Sequence, residues 1–269
     1  MLEPAHNTKH LPFLHIPFRE HVFVLAQADD GASNGTALWL SGQVLAAYIA
    51  SLPTPAKNAA RVIELGSGIG FTALVLASLG YHVLATDAHS SVLSLLAQNI
   101  QRNNQNLPGS IHVRELDWCV PPERWDWSDP SSITSPCAYS DSEPRVAPPV
   151  FDLIVTADTL YVPHLTPHLL RTLDHIQALT PVTRLSPPRP DSSQPEATNN
   201  SRSRRPTTLV ALERRDPTLI DAALALVPGS LTRIPHKKLS KALQGVGWNW
   251  DAGDWEGVEI WKIKWGKSK

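Results

Sequence analysis

Apolar residues in this chain fall into short runs separated by turn-forming residues. Val62, Ile63 and Leu65 form a run ended by glycines, which predicts a buried strand over 61–65. The apolar stretch 71–79 suits a buried helix closed by Gly80. A second strand is predicted over 82–86, ending at Asp87. Val92, Leu93, Leu96 and Ile100 then recur at helical spacing, with Ser90 or Ser91 as the N-cap. Strands over 111–115 and 151–156 follow, then a helix over 165–179 that holds Pro167 in its first turn. A strand at 207–213 and a helix at 216–227 continue the alternation, and strands at 231–234 and 258–265 close it. Upstream lie a strand region, 13–25, and an amphipathic helix, 38–52.

Strands alternating with helices predict an α/β fold: a doubly wound, mostly parallel sheet of seven strands with helices on both faces. Residues 1–55 read as an N-terminal strand and helix extension, and 56–269 as the main domain. Two segments, 128–149 and 181–206, are rich in Pro, Ser, Asp and Arg and carry little apolar periodicity. They are expected to be disordered surface insertions. Arg202, Arg204 and Arg205 make a small basic cluster there, read as part of a solvated linker rather than a localisation signal.

Composition narrows the function classes. The 269 residues are 42% hydrophobic, enough for one decorated α/β domain. The 24 Lys and Arg residues balance 25 Asp and Glu, so no global basic field is available to hold a phosphate backbone. No basic start leads into an apolar core, and the apolar stretches 37–52 and 71–79 are shorter than a spanning helix needs. A soluble protein with no membrane or nucleic-acid partner is expected. The two cysteines, Cys119 and Cys137, lack metal or redox spacing, which fits a reducing cytoplasmic or nuclear compartment. His164 and His168 are separated by Pro167 and have no third ligand in view, so no metal is expected.

The chemistry centres on Glu64-Leu65-Gly66-Ser67-Gly68-Ile69-Gly70. A strand feeding a glycine turn and then a helix lets a ligand approach the backbone, with helix-end N–H donors nearby. Dinucleotide folds want G-x-G-x-x-G/A, but here the third glycine arrives one residue early and Phe71 takes the final position. Asp87 follows the glycines at the end of the second strand, where an acid can accept bonds from ribose hydroxyls. Together the two features point to an adenosine ligand.

The series E-L-G-S-G-x-G, T-D-A, E-L-D-W and F-D-L-I-V-x-A-D-x-x-Y resembles the motifs of methyltransferase family 16 over about 38–213. That group belongs to the class I, seven-strand, Rossmann-like S-adenosylmethionine-dependent methyltransferases and includes methyltransferase-like protein-lysine enzymes; the resemblance is to a fungal member. It implies S-adenosylmethionine as cofactor, with Glu64 among the residues that bind it and Gly66, Ser67 and Gly68 lining its methionine part. Asp87 would hold the ribose, Asp117 and Trp118 would frame the adenine, and Ala157 would close the pocket floor. Trp39 matches a tryptophan that helps enclose the cofactor, although helix packing explains it nearly as well.

Asp158 and Tyr161 are the candidate catalytic residues. An acid at the carboxyl end of a strand can attract a lysine ammonium, and a phenol nearby can shape an aromatic entrance. Methyl transfer is a direct displacement, so the protein's task is alignment, and Asp158 is assigned to orientation. On residues alone, Asp158 also reads as a helix N-cap. Glu213 either faces the substrate channel or pairs with Arg214 or Arg215. Trp248, Trp250 and Trp255 read as packing at the sheet edge.

The resulting expectation is a monomeric methyltransferase acting on a lysine of a protein, such as a translation or ribosomal factor. The alternatives are another acceptor (protein histidine, a small molecule or RNA), a nicotinamide-dependent oxidoreductase, or a non-catalytic module.

Overall fold

The computed structural model describes residues 3–28, 34–53, 60–134, 146–179 and 205–266. Among these, β1 (Phe13–Phe18) and β2 (His21–Ala26) form an antiparallel hairpin, followed by α1 (Leu40–Ala50). The main sheet takes β3 (Arg61–Leu65), β4 (His82–Asp87), β5 (Ser110–Glu115), β6 (Leu153–Ala157), β7 (Thr207–Glu213), β8 (Gly229–Arg233) and β9 (Val258–Trp265). Its helices are α2 (Phe71–Ser78), α3 (Ser90–Asn103), α4 (Thr166–Ala178), α5 (Pro217–Ala225) and α6 (His236–Gly245). The seven strands lie in the order β5-β4-β3-β6-β7-β9-β8. Strands β3 to β7 are parallel, and β9 enters antiparallel between β7 and β8. The predicted seven-stranded α/β sheet is therefore the observed one.

Strand alternation divides the core into two layers. Val62, Val155, Leu209 and Ala211 point to a layer built with α1, α2, α3 and α6. Ile63, Leu65, Ile154, Val210 and Leu212 point to the opposite layer, with α4 and α5. Both faces being covered, the central strands read as continuous apolar runs. Helix α2 stops as predicted: Gly80 takes φ +91°, and Tyr81 and Gly80 donate to the carbonyls of Leu76 and Ala77.

The structure departs from the predicted elements in five places. Helix α6 is absent from the predicted elements, although Leu239, Ala242 and Leu243 bury its core-facing side. The predicted amphipathic helix, α1, has no polar outer face, because every residue from Leu40 to Ile49 is buried. Neither Ser90 nor Ser91 caps α3: His89 is the N-cap residue, and both serines lie inside the helix. Trp248 and Trp255 are buried, but Trp248 packs on Phe18 and Phe71 beneath the hairpin rather than at the sheet edge. The first part of the predicted insertion 128–149 is ordered. Ile133 is buried, Ser132 bridges Glu115 beside β5, and the Ile133 N–H donates to the Glu115 carbonyl. Residues 135–145 and 181–204 of the two predicted insertions lie outside the described residues.

The hairpin is fixed to the domain by two amides one helical turn apart on α3. Asn99 and Asn103 accept from the N–H groups of Ala26 and Val24 and donate to the carbonyls of the same residues. Asn99 also donates to the Ile69 carbonyl in the glycine loop. The extension thereby braces the turn that follows β3.

Candidate active site

The chain runs outward from β3 in both directions, to β4 and β5 on one side and to β6 and β7 on the other. Such a reversal opens a crevice beyond the carboxyl ends of the central strands. Gly66, Asp87, Asp117, Asp158 and Glu213 stand at the ends of β3 to β7 around it.

The glycine turn needs its glycines. Gly66, Gly68 and Gly70 have φ of +71°, +52° and +90°, the left-handed region where side chains are strained. A Cβ on Gly66 would come within 2.8 Å of the Thr159 methyl, and one on Gly70 within 2.6 Å of Leu96. Between them, Ser67 is buried and turned toward β4: its N–H donates to the Thr86 carbonyl and its hydroxyl accepts from the Thr86 N–H. The Ser67 side chain therefore anchors the loop.

Glu64 lies beneath this turn, 2% exposed, and its Oε2 has no hydrogen-bond partner among the described residues. Burial pushes its carboxyl up to about 8, against bonds from the Ser67 and Thr72 hydroxyls that favour the charged form. Asp87 is half-buried, and its Oδ2 accepts the Gly68 N–H at 3.1 Å. Its Oδ1 accepts the Ala88 N–H at 2.9 Å. Burial raises the Asp87 carboxyl and these backbone donors pull it back. The acid thus holds the glycine loop to the end of β4.

At the end of β5, the Asp117 N–H donates to Thr134 and its carboxylate accepts the Cys119 N–H. Half-buried Trp118 has its ring edge 3.5 Å from where a Gly66 Cβ would stand. Its Nε1 is buried with no partner among the described residues. An indole face and an unsatisfied donor beside a glycine turn suit a planar, acceptor-rich ligand such as adenine.

Asp158 is 9% exposed and takes φ +57°, so the chain swings sharply out of β6. Its N–H donates to the Ala211 carbonyl, and its Oδ1 accepts the Glu213 N–H at 3.3 Å. Its Oδ2 pairs with Arg215 at 2.7 Å. Burial raises the Asp158 carboxyl, while the Arg215 charge opposes the shift. This overturns the helix-cap alternative, because α4 starts at Thr166. The same Arg215 nitrogen also bonds Glu213, whereas Arg214 forms a forked pair with Glu259 at 3.1 and 3.0 Å.

A family model described as lysine methyltransferase matches residues 19–187. The chain belongs to that family. Among relatives of this lysine methyltransferase family member, the protein-lysine methyltransferase METTL21E of Bos taurus is 31% identical over 171 residues, 62% of this chain and 51% of that protein. The protein N-lysine methyltransferase METTL21A of Danio rerio is 28% identical over 184 residues, 68% of this chain and 74% of that one. A calmodulin-lysine N-methyltransferase of Arabidopsis thaliana is 29% identical over 138 residues, half of this chain and 38% of its own length. The chain thus spans about half the length of the cattle relative.

Ala157 ends β6, partly buried against the α1 layer. Trp39 stands at the N-cap of α1 and anchors its Nε1 on the Asn34 carbonyl. Its ring meets two cations, Lys9 Nζ at 3.6 Å and the Arg215 guanidinium at 4.5 Å from the ring centre. Trp39 and Asp158, far apart in sequence, therefore share Arg215. Tyr161 is 44% exposed on the loop before α4. Sequence reasoning missed Arg215 as a site residue; its only signal was its place two residues past an acid that ends a strand. It also missed Thr159, which carries no motif of its own.

Proposed function

We propose that this chain transfers the methyl group of S-adenosylmethionine to a lysine side chain of a protein. The observation that carries the reading is the buried Asp158 carboxylate at the carboxyl end of the sheet, held in a left-handed turn and facing a cation that also contacts Trp39. An acid and an indole that grip one cation suit the ammonium of a lysine. The names of the relatives support the same acceptor.

The residues present fit the cofactor. The Trp118 Nε1 and Glu64 Oε2 atoms are buried polar groups with no partner among the described residues, and both flank the glycine turn. Gly66 and Gly68 would line the methionine part, Asp87 would receive ribose hydroxyls, and Trp118 would stack the base. When bound, S-adenosylmethionine supplies an electrophilic methyl group on a positively charged sulfur. The chain's own residues align the acceptor. Asp158 attracts and orients the ammonium, and the desolvated crevice favours release of its proton to solvent, leaving the neutral amine that can attack.

The deciding experiment incubates the protein with labelled S-adenosylmethionine and a cell lysate, then maps the label. Methyl-lysine is expected. Label in histidine or RNA, or tight binding of a nicotinamide dinucleotide with none of S-adenosylmethionine, would overturn the reading. The reading extends to a monomeric enzyme of the cytoplasm or nucleus, where an exposed thiol such as Cys119 stays reduced. Light scattering and cell fractionation check both points.

A further inference from the structure

We propose that Arg215 is a built-in occupant of the acceptor-amine subsite, so that an incoming lysine must displace its guanidinium and Arg215 thereby sets acceptor affinity. The inference rests on the lysine reading above. One Arg215 nitrogen bonds the Asp158 carboxylate at 2.7 Å and also the Glu213 carboxylate, and the guanidinium carbon lies 4.5 Å from the centre of the Trp39 ring. Two carboxylates and an indole face around one cation are also what an alkylammonium requires.

Exposure sets the direction of displacement. The Asp158 side chain is 7% exposed and that of Arg215 43%, so the guanidinium covers the acid from the solvent side. Arg215 lies just past β7, and its backbone N–H turns back to the Glu213 carbonyl while Asp216 caps α5. Its backbone is therefore fixed, and the long side chain can swing away without unfolding an element. A tethered competitor acts at an effective concentration on the order of millimolar. Such a rival weakens every probe by one plus the ratio of that concentration to the guanidinium's own intrinsic Kd, whatever the probe's affinity.

The test uses the full chain saturated with S-adenosylhomocysteine, with N-acetyl-lysine methylamide as the probe in ligand-observed NMR. Arg215→Gln should bind the probe several-fold more tightly than the wild type, as loss of a tethered rival held at an effective concentration above its own intrinsic Kd requires. Adding Asp158→Asn should abolish that gain. Arg215→Lys, which keeps the charge but loses the planar fork, should fall between the two. Equal or weaker probe binding by Arg215→Gln, with cofactor-product affinity intact, overturns the proposal, as does no binding by either protein. If Arg215→Gln does not fold, Arg215→Lys decides: unchanged affinity overturns the proposal. The lysine-transfer reading fails separately, by absence of methyl-lysine in the labelled lysate while probe binding behaves as described.

Discussion

Gly66 and Thr159 pack so closely that a Cβ on Gly66 would stand 2.8 Å from the Thr159 Cγ2. The contact joins the turn after β3 to the turn after β6. The Thr159 hydroxyl is itself held by Thr156 at 2.7 Å, and Thr156 reaches the Leu65 carbonyl at 2.8 Å. Gly66→Ala should therefore cost about 1–3 kcal/mol from the left-handed backbone, with a steric cost added. Thr159→Ser removes the clashing methyl and keeps the hydroxyl. It should recover the steric part of the loss in Gly66→Ala and leave the backbone part. A denaturant double-mutant cycle with no coupling between the two positions would contradict this packing.

Glu64 should make stability depend on pH. Burial raises its carboxyl from 4.5 to about 8, so between those values the folded chain holds a proton that the unfolded chain has released. Stability is then fully present below the lower value and falls as pH rises through the window, at up to about 1.4 kcal/mol per pH unit. Glu64→Gln resembles the protonated form and should flatten that slope, making the variant the more stable protein above neutrality. Melting temperatures from pH 5 to 9 for both proteins check this. Parallel curves would mean that Glu64 stays ionised in the fold.

Much of this architecture is legible in the sequence because a two-layered parallel sheet writes itself as apolar runs. Val62, Ile63 and Leu65 are buried on both faces, and the glycines that end their strand have no substitute there. The acids Asp87 and Asp158 are legible because this topology gathers strand ends at one edge, whereas Asp117 comes only from the family resemblance. What stayed hidden depends on distant partners. Arg215 gains its meaning from Asp158 and Trp39, and no local pattern brings three such separated residues together. Asn99 is buried only because the edge of β2 needs an amide to pair with. Ser128 to Thr134 reads as polar linker, yet the bridge from Ser132 to Glu115 and the burial of Ile133 fold it onto β5. Helix α6 has only Leu239, Ala242 and Leu243 on its inner side, too brief a pattern to stand out among its lysines.

Asp158→Asn should separate binding from transfer. Asparagine tolerates the left-handed conformation that Asp158 adopts at φ +57°, so the turn should survive. The charge facing Arg215 and the acceptor is lost. Cofactor affinity should stay within about twofold while methyl transfer falls by about a hundredfold, the scale of a lost aligning contact. Tyr161→Phe should be mild, since the ring is 44% exposed and its outline is unchanged. Full transfer by Asp158→Asn in the labelled-methyl assay would remove Asp158 from the acceptor site.

Asp87 has two tasks that substitution can separate. Its Oδ2 holds the Gly68 N–H, and its Oδ1 holds the Ala88 N–H. Under the proposed function the same carboxylate also receives ribose hydroxyls. Asp87→Ala removes both, leaving the Gly68 and Ala88 N–H groups without their acceptor. It should cost about 1–3 kcal/mol of stability and weaken S-adenosylmethionine binding at least several-fold. Asp87→Asn keeps an acceptor oxygen at Oδ1 but presents an amide N–H₂ where Oδ2 accepted, so it opposes the Gly68 N–H and one ribose hydroxyl. It should therefore bind the cofactor nearly as poorly as Asp87→Ala while melting closer to the wild type. Calorimetric titration of S-adenosylmethionine beside thermal unfolding reads the two effects on one sample. Wild-type affinity in Asp87→Asn would place the ribose elsewhere and leave Asp87 as a brace for the glycine loop.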